Sequence, residues 1–261
     1  MTTIPTGEDR VAAIVERLWQ AQAQKIPCRA PSEDFPELTV QEAYQAQSQL
    51  IARRGGVILG RKIGLTSPAI QEWLNVTEPD FGVLLDDMIL SQGMRAPIGE
   101  LLQPRIEAEV AFILKKDLRG PTVTPAEAIR AVDFALPALE IIDSRIADWN
   151  ITFEDTIADN ASSGLFVLGN TPTKLDNIDL RLKGMVLRKN GRVVSTGAGA
   201  ACLGDPINAL VWLANKLASF DTTLRQGDII LSGALGPVTE VEAGDFIDAD
   251  ISGLGSVSIG F

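Results

Sequence analysis

Apolar side chains recur every three or four positions near the start of the chain. In "EDRVAAIVERLWQAQAQ", Val11, Ile14, Leu18 and Trp19 fall on one stripe, which predicts an amphipathic helix. A second helix is delimited by its end signals: "TVQEAYQAQSQLIARRGG" opens with Thr39 and Glu42 at capping-box spacing and closes with Arg53 and Arg54 before Gly55-Gly56. From Val57 the pattern changes to short apolar runs separated by turn residues. "VILGRKIGL", "DFALPALEII", "GLFVLG", "GDIILSG", "GDFIDADISG" and "GSVSIGF" read as strands, and "MVLRKNGRVVSTG" reads as a hairpin turning at Asn190-Gly191. Helices interrupt this half at "SPAIQEWLNV", with Ser67 as cap and Pro68 in first position, and at "TPAEAIRAV", with Thr124, Pro125 and Glu127. The long one is "GDPINALVWLANKLASF", starting at Asp205 and Pro206. The expected architecture is one compact domain, with a helical N-terminal part over 1–56 and a sheet-rich core with few helices over 57–261, without repeats or a linker.

Within that pattern, "RIEAEVAF" places Glu107 and Glu109 two apart on a strand, so their carboxylates share one face while Ile106, Ala108 and Val110 share the other. Such a face is either solvated or a ligand site. "ALPALEIID" adds Glu140 inside an apolar run, where an unpartnered carboxylate is costly to bury. Three converging acids repel one another unless a cation lies among them, and an all-oxygen set suits a hard divalent ion such as Mg²⁺ or Mn²⁺. Lys62, in "GRKIGLTS", is either a solvated strand lysine or a group that holds an anion or moves a proton. Asp80, in "EPDFG", is either a turn aspartate or functional. The polar stretch "DTIADNASSG" carries Asp159, Asn160, Ser162 and Ser163, and either binds a substrate or closes a loop.

Composition narrows the chemistry. The 261-residue chain contains no histidine, which excludes Ser-His-Asp and Cys-His devices. Acids, bases and ligands must then come from Asp, Glu, Lys, hydroxyls, backbone groups or a metal. A net charge of −11 without a basic stripe argues against a nucleic-acid partner. Cys28 and Cys202 lie far apart and read as ordinary thiols. No apolar run reaches the roughly 18–20 residues of a membrane span, and "MTTIPTGEDR" is not a signal peptide, so a cytoplasmic protein without membrane association is expected.

Together, "GRKIGLTS", "PDFG", "LQPRIEAE", "PALEIIDSR", "DTIADNAS" and "GDIILSGALGP" resemble the 2-hydroxypenta-2,4-dienoate (2-keto-4-pentenoate) hydratases of the fumarylacetoacetate hydrolase-like superfamily, from about residue 39 to the C-terminus. The resemblance implies a fumarylacetoacetate hydrolase-like α+β fold with a β-rich core and an N-terminal helical part. It implies that Glu107, Glu109 and Glu140 hold Mg²⁺ or Mn²⁺, that Lys62 and Asp80 are catalytic, and that Ser162, Asp159 and Arg105 bind substrate. It also implies a homo-oligomer, with room for association with neighbouring enzymes of aromatic meta-cleavage. One departure is Asp205 in "LGDPINAL", where many relatives carry histidine.

The implied reaction adds water to a small 2-hydroxydienoate, through its 2-keto-enoate, to give a 4-hydroxy-2-oxo acid. The alternative is a 4-oxalocrotonate decarboxylase, or a catalytically silent partner subunit of one. Decarboxylases tend to have an apolar residue before the lysine and a lysine at the position of Arg105. Arg61 and Arg105 therefore favour hydration, and retention of the three glutamates and Lys62 argues against a silent subunit.

Overall fold

A computed structural model of the chain describes residues 6–68, 71–72, 76–176 and 178–261. Its helices are α1 (Gly7–Gln24), α2 (Pro31–Asp34), α3 (Val40–Arg54), α4 (Pro125–Ala131), α5 (Phe153–Ala158) and α6 (Pro206–Leu217). Its strands are β1 (Ile58–Gly64), β2 (Asp80–Leu85), β3 (Ile89–Leu90), β4 (Pro104–Leu114), β5 (Val132–Asp143), β6 (Ser163–Leu168), β7 (Gly184–Lys189), β8 (Arg192–Ala198), β9 (Ile229–Ala234), β10 (Thr239–Glu240), β11 (Phe246–Ile251) and β12 (Gly255–Gly260). The helix expected over 67–76 includes residues outside those described.

The expected end signals act as local stops. Thr39 and Glu42 form a reciprocal box at the start of α3, Thr124 and Glu127 do the same for α4, and Asp205 caps α6 by accepting from the Ile207 N–H at 2.9 Å. At the tip between β7 and β8, Asn190 and Gly191 adopt φ of 53° and 76°, the left-handed pair that a two-residue hairpin requires. The stretch containing "DTIADNASSG" departs from a simple loop. Thr152 and Asp155 make a further capping box, so residues 153–158 are helical, and only 160–162 form a tight turn before β6.

Strands in the larger sheet run in the order β2-β1-β9-β4-β5-β6-β3, with β10 on the end of β4; a second sheet runs β12-β11-β7-β8. The long antiparallel pair β4 and β5 forms the centre of the larger sheet. β5 is buried along nearly its whole length, as its continuous apolar run requires. One continuous core joins Val11, Ile14 and Leu18 of α1 to Ile106 and Val110 of β4, Leu213 of α6 and Ile259 of β12. The N-terminal helices thus pack as part of the same body as the sheet. Among the described residues, no helix is long and apolar enough to cross a membrane.

Candidate functional site

The register of β4 on β5 builds the centre of the site. Glu107 stands directly opposite Glu140, and Glu109 follows on the same side of β4. One carboxylate oxygen from each of the three lies within 4.8 Å of the others. Glu109 and Glu140 are fully buried, and Glu107 lines a cavity of about 380 Å³. Glu109 Oε2 accepts from the Gly233 N–H at 2.7 Å, whereas Glu109 Oε1 and Glu140 Oε2 are buried without a hydrogen-bond partner.

Strands β1 and β2, beyond β9 in the same sheet, add the remaining charges. Lys62 of β1, also buried, places Nζ 3.2 Å from Glu140 Oε1, an ion pair off the line of a hydrogen bond. Asp80, the first residue of β2, faces Gly64 across the β1–β2 ladder; a Cβ at Gly64 would lie 2.2 Å from Asp80 Oδ1, so only glycine admits this carboxylate. Asp80 Oδ2 accepts from Thr156 Oγ1 at 3.2 Å, and its Oδ1 has no partner.

Four acids, three of them buried and Glu107 half-buried, thus surround one lysine. Burial, with the Glu140 charge beside it, pushes Glu107 up to about 7 against the opposing pull of Lys62. Burial raises Glu109, Glu140 and Asp80 as well. Burial also disfavours the Lys62 ammonium, but Glu140, Asp80, Glu107 and Glu109 together outweigh it and hold Lys62 above its usual value. The excess of buried negative charge, the unfilled carboxylate oxygens and the all-oxygen donor set fit a hard divalent cation held by Glu107, Glu109 and Glu140.

Ser162 reaches the cavity by way of an unusual turn. Asn160, Ala161 and Ser162 have φ of 55°, 51° and 52°, three successive left-handed residues that are not glycine. The Asn160 side chain ties the turn to β2, accepting from the Val83 N–H at 2.7 Å and donating to the Val83 carbonyl at 3.0 Å. The Arg145 guanidinium holds its other end, donating to the Ser163 carbonyl at 2.9 Å and to the Asp159 carbonyl. Ser162 is left lining the cavity with its buried hydroxyl unpartnered.

Of the residues expected at the site, Glu107, Lys62, Asp80, Ser162 and Arg105 line the cavity, with Glu109 and Glu140 beneath it. Asp159 does not line it. Its carboxylate is turned into the protein, taking Arg145 Nε at 2.5 Å, the Arg145 N–H at 3.0 Å and Ser144 Oγ at 3.2 Å, and, fully buried, it presents nothing to the cavity. Sequence reasoning missed Arg145, Thr156 and Trp149. A tryptophan in the polar stretch "SRIADWNI" was the available signal for the last. A larger concavity, about 800 Å³, is lined by Arg61, Phe81 and Tyr44, with no acid among its described lining residues.

The model of the fumarylacetoacetate hydrolase C-terminal family matches residues 66–259. The chain belongs to this family. Within the family, its curated relatives place it among the hydratases. The chain is 49% identical to a 2-keto-4-pentenoate hydratase of Paraburkholderia xenovorans strain LB400 over 94% of this chain and 93% of that one. It is 41% identical to a 2-hydroxyhexa-2,4-dienoate hydratase of Comamonas testosteroni over 94% and 95%. Among solved structures it is similar to 4-oxalocrotonate decarboxylase from Pseudomonas putida G7, complexed with magnesium and adipate, at 36% identity and a TM-score of 0.94 over 99% of both chains. The fumarylacetoacetate hydrolase-like α+β fold is therefore established for this chain.

Proposed function

We propose that this protein adds water to a 2-hydroxy-2,4-dienoate, by way of the 2-keto-3-enoate, to give a 4-hydroxy-2-oxo acid, with Mg²⁺ or Mn²⁺ held by Glu107, Glu109 and Glu140. The observation that carries this reading is the set of three glutamates, Glu109 and Glu140 buried and Glu107 half-buried, their oxygens within 4.8 Å of one another and partly unfilled, beside Lys62 at the base of a cavity. The names of the hydratase relatives support the substrate class. When bound, a divalent ion supplies Lewis acidity towards the substrate's 2-oxygen and offsets its charge.

The chain's own groups divide the remaining work. Lys62, held charged by the acids around it, attracts the substrate carboxylate and can relay a proton. Asp80, raised by burial and oriented by Thr156, handles the proton of the water added at C4. The Ser162 hydroxyl, free of protein partners, donates to a substrate oxygen. The apolar wall of Leu65, Ile142, Ile151 and Val238 keeps bulk water from the dienoate tail.

Incubation with 2-hydroxypenta-2,4-dienoate and Mg²⁺, following dienol absorbance and product mass, should show gain of one water, abolished by chelator. The likeness to a decarboxylase over the whole chain sustains one second reading. Release of CO₂ from 4-oxalocrotonate without hydration of the dienoate would establish it instead.

A further inference from the structure

The two ends of the cavity differ in kind. Lys62, Asp80 and Glu107 line the inner end; elsewhere apolar side chains such as Leu65, Ile142, Ile151 and Val238 alternate with hydroxyl groups and with the pair Arg105 and Asp148. Arg105 lies two residues before Glu107 on β4, which puts it on the same side of the strand and about 7 Å away along it. Its guanidinium carbon sits 4.7 Å from the centre of the Trp149 ring. Arg105, Asp148 and Trp149 also line a shallow outer depression that includes Gln103 and Glu240, so this group forms the partition between cavity and solvent.

Trp149 is held in place at conformational cost. Asp148 and Trp149 have φ of 58° and 55°, a left-handed pair that persists only where the surroundings fix it. Gln103 does so: its Oε1 accepts from the Asp148 N–H at 2.8 Å, its Nε2 donates to the carbonyls of Ser144 at 3.0 Å and Ile146 at 2.8 Å, and its own carbonyl accepts from Trp149 Nε1 at 3.3 Å. With Arg105 over the ring and the indole N–H turned to the backbone, Trp149 offers the cavity apolar surface. The charges around it point the same way. Arg105 faces the exposed Glu240 at 3.4 Å on the outer side, and Asp148 lines the cavity beside it, so the one cation of this partition already has acids on both sides. A second carboxylate on a substrate would find no unopposed cation at this point.

We propose that Trp149, fixed by Gln103 and covered by Arg105, is the specificity-determining residue of the site. It forms an apolar wall for the far end of the substrate, selecting 2-hydroxydienoates with an uncharged alkyl tail over the unsubstituted pentadienoate and over substrates that end in a second carboxylate. This rests on the hydratase reading.

The test compares kcat/KM for 2-hydroxypenta-2,4-dienoate, 2-hydroxyhexa-2,4-dienoate and 2-hydroxyhepta-2,4-diene-1,7-dioate with Mg²⁺. The wild type should favour the hexadienoate. Trp149→Ala should lose about 10-fold or more on it, mainly through KM, and much less on the pentadienoate, the scale of one methyl group in an apolar pocket. Trp149→Phe should retain most of the preference. Asp148→Asn combined with Glu240→Gln, which keeps side-chain size and backbone donors, should raise activity on the dicarboxylate. Equal losses on all substrates, or a wild-type preference for the dicarboxylate, would overturn the proposal. Calorimetric titration with the unreactive 2-oxohexanoate and 2-oxoadipate separates the two levels. If no dienoate is hydrated but 2-oxohexanoate binds more tightly and Trp149→Ala erases the difference, the activity is wrong and the tail wall stands; equal binding overturns the wall whatever the activity.

Discussion

Two buried charge clusters lie on either side of the turn at 160–162, and they are built on opposite terms. Around Asp159 and Arg145, both carboxylate oxygens of the acid and the donor groups of the guanidinium find partners. Around Lys62, four acids share one cation and several of their oxygens receive nothing. Burial raises Asp159 just as it raises Asp80, so a shifted acid does not by itself separate the clusters. Unfilled hydrogen-bonding capacity does. A satisfied buried pair fixes a turn, whereas an unsatisfied buried set stays folded only because the surrounding sheet enforces it, and is ready for a ligand.

The sharpest way to break this comparison is Glu140→Gln, which keeps the shape and removes one charge. Mg²⁺ affinity by calorimetry should fall by more than about 100-fold, since loss even of groups that merely support a ligand costs 10–100-fold. Turnover should vanish with it. The chelated variant should melt no lower than the chelated wild type, because one of four mutually repelling acids has gone while Asp80, Glu107 and Glu109 still surround Lys62. A variant that binds Mg²⁺ normally would remove Glu140 from the ligand set.

Asp80→Asn and Lys62→Met test the non-ligand half of the same cluster. Turnover should drop by about 100-fold or more, the usual scale for a general acid or base, while Mg²⁺ affinity is retained or, for Lys62→Met, increased. Unchanged turnover in either would cancel that residue's role.

On the satisfied side, Arg145→Met leaves Asp159 buried without its counter-ion and should cost about 3–5 kcal/mol in denaturant unfolding. Adding Asp159→Asn should recover part of that loss. Mg²⁺ affinity of the folded fraction should stay within about 3-fold, because sites without shared partners act nearly independently. A large loss of affinity would mean that the two clusters are one.

What could be read from sequence follows the range of the interactions concerned. The boxes at Thr39 and Thr124 and the tip at Asn190-Gly191 are settled within four residues, and the structure reproduces them. Glu140 was conspicuous because an acid in an apolar run needs a reason. The box of Thr152 and Asp155 was equally local and went unread, hidden by the polarity of its surroundings. Nothing local shows that Glu107 pairs across the ladder with Glu140, since that depends on the register of two strands joined through a loop and α4. Asp159 illustrates the same limit. Its polar neighbourhood suggested substrate, and only the fold reveals that Arg145 already occupies it.

The smallest expected effect separates the clusters by pH. Glu107 sits at about 7 in the folded protein against a usual 4.5, so the folded state binds its proton more tightly than the unfolded state does. Where the folded state holds more protons, stability falls as pH rises. In chelator, then, the Glu107 contribution should make the melting midpoint decline from pH 5 to pH 7.5, with Glu109, Glu140 and Asp80 adding in the same direction. Glu107→Gln should flatten part of the decline. Saturating Mg²⁺ should offset or reverse it, because the ion binds the deprotonated carboxylates and its affinity grows as they ionise. Any decline that persists with Mg²⁺ present belongs to acids raised by burial away from the ion, Asp159 first among them. A midpoint that rises with pH in chelator would show that the glutamates are not held above their usual values, and with that the contrast between the two clusters would lose its electrostatic basis.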